Sequence, residues 1–197
     1  MKKALQTIPI LLIVMQLCKA QDTTKRIYYS KDFKWKIEIP ANFDTVSVVE
    51  WAKMKNKGSQ AVEKTYNQKV IDQTKTLIVF KSTGYNYFEA NTQLFDTKKD
   101  GSYAASCKSV DDILYTTLKT QAPNATLDSI SVKTNIGGLD FNTFIMQMKI
   151  GDNVAFSIYS FSRLFGNREF SANIMFMNSG MGDVMLDAWK KSTFGQP

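Results

Sequence analysis

From Ile27 to Pro40 the chain reads Ile-Tyr-Tyr-Ser-Lys-Asp-Phe-Lys-Trp-Lys-Ile-Glu-Ile-Pro, and single polar residues separate Phe33, Trp35, Ile37 and Ile39. That period of two puts the four apolar side chains on one side of a strand, and Ser30-Lys31-Asp32 supplies a turn before it, so the run predicts an opening β-hairpin. Pro40 cannot donate to a ladder and ends the strand, with Phe43 tucked in behind it. Between Asp44 and Lys75 the pattern becomes weakly helical. Val48, Trp51 and Ala52 share one face, Val62, Tyr66 and Val70 share another, and Gly58-Ser59 is the expected break.

Leu77 to Phe80 is an apolar run of strand length, and the run from Phe88 to Phe95 is expected to pair with it across the Gly84-Tyr85-Asn86-Tyr87 stretch. Lys98-Lys99-Asp100-Gly101 reads as an exposed loop. A helix is predicted over 109–121, with Ser109 as cap, Asp112 three residues on, apolar Val110, Ile113, Leu114 and Leu118, and Pro123 as the stop. Four β-rich runs follow near 128–136, 139–150, 154–164 and 168–177. The turns between them, Gly137-Gly138, Gly151-Asp152 and Gly166-Asn167, are so short that neighbours must pair as an antiparallel meander. Phe170, Ala172, Ile174 and Phe176 alternate with other residues, yet Met175 and Met177 leave the opposite face apolar too, so helices are expected on both faces. A last helix from about Gly182 to Lys191 carries Val184, Met185, Ala188 and Trp189. With no internal repeat and no long Pro/Gly linker, residues 21–197 read as one α+β domain, an α/β/α sandwich on a central antiparallel sheet.

The first twenty residues read as an export signal rather than structure. Lys2 and Lys3 precede an apolar run from Ile8 to Leu17, and Cys18-Lys19-Ala20 offers small residues where a signal peptidase cuts, so cleavage is expected between Ala20 and Gln21. Pro9 and Gln16 interrupt the run, and it falls short of the roughly 20 residues a spanning helix needs. Removal takes three lysines and no acidic residue, which lowers the net charge of +7 to +4. The surplus sits in residues 53–75, where Lys53, Lys55, Lys57, Lys64, Lys69 and Lys75 face only Glu63 and Asp72. A solvated face is the plain reading of that segment and a contact for an anionic surface or partner the other. Balanced charge elsewhere argues against a nucleic-acid surface.

Histidine is absent. That excludes Ser-His-Asp and Cys-His sites and imidazole acid/base chemistry. Cleavage leaves Cys107 as a lone thiol, read as a small buried hydrophobe, so the mature fold stands on its core without disulfides. A chain of this length can bury about 70% of the surface its unfolded form exposes.

The order of features, Phe33-Lys-Trp-Lys-Ile-Glu-Ile-Pro40-Ala-Asn-Phe43, the Leu77-Ile-Val-Phe80 strand, a central helix, a meander and a closing helix ending Ser192-Thr-Phe194, resembles the PsbP-like superfamily. The resemblance spans residues 27–194 and implies an α/β/α sandwich. Superfamily members bind different partners on one scaffold, so it implies no functional residue here. A lipocalin-like or steroid-isomerase-like container is the competing architecture, and the mid-chain and closing helices fit a closed barrel poorly.

Candidate chemistry is sparse. Asp111-Asp112 could hold a metal or share a proton, but at the start of the expected helix the pair complements the macrodipole. No calcium loop, GxGxxG or Walker run occurs, and Asn124-Ala-Thr126 is an incidental sequon. Tyr85, Tyr87 and Phe88 cluster in an expected loop and would form a contact rim if exposed together. Arg163 and Arg168 bracket a hairpin turn and could clamp an anion. The leading expectation is a non-enzymatic, periplasmic or extracellular interaction domain with an unknown protein partner, no cofactor, no metal and no nucleic acid. The alternative is a carrier of a small apolar ligand, in a cavity lined by some of Met146, Met148, Phe156, Met175 and Phe176. An enzyme using a carboxylate, Tyr or Lys comes third.

Overall fold

The computed structural model describes residues 25–195. In chain order the elements are β1 (Arg26–Ser30), β2 (Trp35–Ile39), β3 (Asp44–Thr45), α1 (Val48–Tyr66), β4 (Lys75–Lys81), β5 (Tyr87–Leu94), α2 (Tyr103–Gln121), β6 (Thr126–Ile136), β7 (Leu139–Ile150), β8 (Asn153–Phe165), β9 (Arg168–Phe176), α3 (Ser179–Lys190) and β10 (Thr193–Phe194). The meander is present as β6 to β9, joined by turns in which Gly137, Gly138, Gly151 and Gly166 all take positive φ. At Gly137 the reason is twofold: the turn needs a left-handed residue, and a Cβ there would meet the Ser192 carbonyl oxygen at 3.2 Å. The hairpin of β4 and β5 adds to the meander through β9, giving a seven-stranded antiparallel sheet in the order β3-β4-β5-β9-β8-β7-β6. β1, β2 and β10 form a second, three-stranded antiparallel sheet. The fold is α+β.

One side of the large sheet, the hairpin face, is covered by the small sheet and α3. Alternation along β2 drives Trp35, Ile37 and Ile39 inward against Phe88, Ala90, Phe170, Ala172 and Ile174 of the large sheet. Ring against ring fills this core: Trp35 lies 4.9 Å from Phe170 edge-on, Trp189 of α3 stacks on Phe170 at 6.1 Å, and Phe80 stacks on Phe88 at 4.6 Å. Burying such side chains contributes about 1.5–3 kcal/mol each. α3 sits so close that a Cβ on Gly182 would lie 2.5 Å from the Phe176 ring.

The other side, the helical face, is covered by α1 and α2. Leu114 and Leu118 of α2 pack on Leu127, Phe144, Met146 and Ile158, a smaller apolar cluster under that helix alone. Two sequence expectations need correction here. α1 is one helix running through Gly58-Ser59. Trp51 and Val62 are eleven residues apart, about three turns, so the two faces fall on one stripe that ends at Tyr66, with Val70 beyond the Asn67 C-cap, and the solvent-facing Gly58 costs only about 1 kcal/mol. α2 starts at Tyr103, with Ser102 rather than Ser109 at its N-cap position. Asp111 and Asp112 therefore lie in its interior: Asp112 pairs with Lys108 at 2.7 Å, and Asp111 accepts a hydrogen bond from Ser131 at 3.2 Å. Local pairing, not the helix dipole, accounts for them. The expected export signal, residues 1–20, lies outside the described residues.

Candidate interaction surface

Along β5 the alternation of Tyr87-Phe88-Glu89-Ala90-Asn91 sends Phe88 and Ala90 into the aromatic core and Tyr87, Glu89 and Asn91 to the helical face. Registry extends this polar row across the sheet. Glu89 stands beside Asn173, which stands beside Ser160; Asn91 stands beside Ser171, which stands beside Ser162. Ser160 donates to the Asn173 side chain at 2.8 Å and Ser171 to that of Asn91 at 2.5 Å. Polar groups at this depth persist because they satisfy one another.

Glu89 is the chemical centre of this seam. It is 7% exposed, and the indole N–H of Trp51 on α1 donates to its Oε1 at 2.7 Å. Burial raises its pKa, and the Trp51 bond, the Lys55 charge and the Asn91 and Asn173 amides pull back against that rise. Tyr87, edge-on to Trp51 at 5.0 Å, has its hydroxyl pKa pushed up by burial and by the Glu89 charge. The Lys55 ammonium is held by Asp72 at 2.5 Å and by Thr74 at 2.7 Å. A carboxylate beside Tyr and Lys could act as an acid or base, but Trp51 covers this one. Its evident work is to hold α1 on the sheet.

Little else does. Trp51 is the one side chain of α1 that is fully buried. The helix leaves Val48 and Val49 about 70% exposed. Lys53, Lys57 and Lys64 are exposed and fall within roughly 40° of arc on its outer side. The start of α1 is tied to the end of β4 by an ion pair between Glu50 and Lys81. Beyond Lys81 the β4–β5 turn presents Tyr85, 61% exposed. Within that turn Asn86 accepts the backbone N–H groups of Met177 and Asn178 through its side-chain oxygen, which brings the exposed Met177 alongside. One end of the sheet thus carries Val48, Val49, Tyr85 and Met177, all exposed, near Lys53 in the turn of α1 that follows Val49.

Of the five residues singled out from sequence, only Tyr85 belongs to an exposed apolar group. Tyr87 is half-buried under α1 and Phe88 is enclosed in the aromatic core, because both lie in β5 and strand alternation points them to opposite faces. Arg163 donates to the Asp140 carbonyl at 2.6 Å and lies over the Phe165 ring; Arg168 pairs with Asp32 at 3.0 Å. Each arginine is engaged by its own chain. Cys107 is half-buried within 3.5 Å of Ser162 and Asn142, a polar setting rather than the apolar one expected. The side chains expected to line a carrier cavity are split by the sheet: Met146, Met148, Phe156 and Met175 pack under α2, while Phe176 joins the aromatic core on the opposite face. Trp51 was expected on an apolar helix face, whereas neither Glu89 nor Asn173 stood out in the sequence. The signal was the polar member of each alternating strand, Glu89 and Asn91 in β5 and Ser171 and Asn173 in β9.

Among the described residues no helix is long and apolar enough to cross a membrane, and no three His, Cys, Asp or Glu side chains are grouped to hold a metal. No protein-family model matches the chain and no curated protein sequence matches it. A solved structure is similar in fold: the solution structure of cyanobacterial PsbP (CyanoP) from Synechocystis sp. PCC 6803, at 10% identity, TM-score 0.53, covering 92% of this chain and 99% of that one. The chain has the PsbP-like fold expected from its order of elements.

Proposed function

We propose that residues 21–197 form an exported, non-enzymatic interaction domain. Its contact surface is the end of the sheet where α1 begins. The observation that carries this reading is the group of exposed Val48, Val49, Tyr85 and Met177 near Lys53, one turn on from Val49, with Lys57 and Lys64 continuing the charge along the outer side of α1. An apolar centre with a charged rim is the make-up of a protein contact, and the three lysines fit a partner whose rim is acidic. Export rests on the sequence of residues 1–20, with Lys2 and Lys3 before an apolar run. A role by contact also agrees with polar groups that are paired within the chain, Glu89 by Trp51, Arg168 by Asp32 and Asp112 by Lys108.

The test is native mass spectrometry on the mature protein purified gently from the periplasm of the expressing cell, for the wild type and for a variant carrying Lys53→Glu, Lys57→Glu and Lys64→Glu. A protein partner retained by the wild type and lost by the variant is the expected result. A small-molecule mass that vanishes on denaturation would replace this reading with the carrier.

A further inference from the structure

The two edges of the large sheet are finished differently. At one end β3 is two residues long and the chain leaves at once for α1. At the other, β6 runs for 11 residues, Thr126–Ile136, with no proline, no glycine and no bulge against β7. Short or interrupted edges prevent strand addition; a long regular edge invites it. Among the described residues no turn or loop makes a backbone hydrogen bond to the outward side of β6.

In the middle of this edge the hairpin face presents two apolar, uncovered side chains, Ile130 and Val132, between Asp128 and Thr134. Registry places Ile130 beside Ile145, Ile145 beside Tyr159 and Tyr159 beside Ile174. Along that row exposure rises from 0% at Ile174, under α3, to 55% at Ile130. Val132, one rung on, is 38% exposed. α3 and the small sheet cover the middle strands and stop short of the edge.

We infer that β6 is a self-association edge, on which a second copy of this chain adds its own β6 antiparallel about a two-fold axis at Ser131. The two-fold axis stands normal to the sheet, so each face continues into the same face of the second copy. In this register Ile130 stands opposite Val132 of the second copy, twice by symmetry, and extends the apolar row across the joint. Asp128 faces Thr134 and Lys133 faces Ser129, so no like charges oppose. Lys133 of the second copy also comes diagonal to Ser131, whose hydroxyl holds Asp111 at 3.2 Å. Lys108 pairs with Asp112, and among the described residues none forms an ion pair with Asp111. Centring the pairing on Ile130 instead would set Lys133 against Leu127 and Asp128 against Val132. The self-complementary register is the one at Ser131.

This inference does not depend on the α1 surface, which lies toward the opposite edge; a monomer that still binds a partner through the α1 lysines would overturn it and leave that reading standing. The experiment is sedimentation of mature protein from roughly 1 μM to 1 mM, with non-reducing electrophoresis of Ser131→Cys and, separately, Ile130→Cys, both in a Cys107→Ser background. A concentration-dependent dimer is expected, cross-linked by Ser131→Cys and weakened at least about tenfold by Val132→Lys, which replaces two apolar pairs per dimer, with the melting temperature unchanged at dilutions where both proteins are monomeric. A monomer throughout, with no cross-link, overturns the proposal. So does a dimer indifferent to Val132→Lys, or one that cross-links through Ile130→Cys in place of Ser131→Cys.

Discussion

At the rungs where the hairpin face carries Phe88, Ala90, Ala172 and Ile174, all without solvent exposure, the helical face carries Glu89, Asn91, Asn173 and Ser171. The same two strands supply both sets. On the first side Trp35 and Trp189 close over rings, and α3 approaches near enough that only glycine fits at position 182. On the second, α1 buries a single side chain, Trp51, and is otherwise tied by partly exposed ion pairs of Glu50 and Lys55 and by α2, and the groups beneath it bond to each other rather than pack. The larger core therefore lies on the hairpin face, and the helical face adds the smaller cluster under α2. The α1 part of the helical face can give way locally without losing either core, which is what a surface that adapts to a partner requires.

Removing a ring from the hairpin face should cost most. Phe170→Ala is expected to destabilise by about 3–5 kcal/mol, read from the denaturation midpoint, because Phe170 touches Trp35, Trp189, Phe33 and Phe141. Gly182→Ala should cost about 1–3 kcal/mol, since α3 or the Phe176 ring must shift. If the comparison of faces is sound, the same glycine-to-alanine change at Gly58, where a Cβ meets nothing within 4 Å, is instead neutral or slightly stabilising.

Trp51→Phe should cost about as much as Gly182→Ala, about 1–3 kcal/mol. It keeps a ring over Tyr87 and leaves Glu89 without its donor. Limited proteolysis should show α1 cut first in this variant while the far-ultraviolet signal of the sheet persists.

The smallest expected effect is in pH dependence. Because burial raises the Glu89 pKa in the folded state, the native chain holds this proton more tightly than the unfolded chain. Its contribution is present below the unfolded carboxylate pKa and is lost as pH rises through the folded value. Glu89→Gln removes that slope: its stability curve should be flatter between acid and neutral pH, and it should be at least as stable as the wild type at pH 7. A Gln variant with the wild-type slope would show that Glu89 ionises without hindrance.

The hairpin face was legible from sequence because strand alternation is a strict code: Phe33, Trp35, Ile37 and Ile39, or Phe170, Ala172, Ile174 and Phe176, can share only one side. The meander was legible because two-residue glycine turns leave its strands no other neighbour. α1 was harder. Its stripe mixes Trp51, Met54, Lys55 and Val62, so a helix bound by a hydrogen bond to a buried acid has no strong apolar period to detect. Phe88 was misplaced for a related reason: Tyr85, Tyr87 and Phe88 are adjacent in sequence, and the strand that begins at Tyr87 separates them onto a turn and two faces. Polar residues at inward positions, such as Glu89 and Asn173, look like solvent-facing ones until registry shows what lies above them.

Native-state hydrogen exchange, residue by residue, on the mature protein tests the difference between the two faces most directly. Amides of α1 are expected to exchange through local openings well below the global unfolding free energy, while those of α3, β5 and β9 exchange only with global unfolding. One shared protection level and one denaturant dependence for α1 and α3 would instead make the two faces a single cooperative unit and overturn the distinction between them.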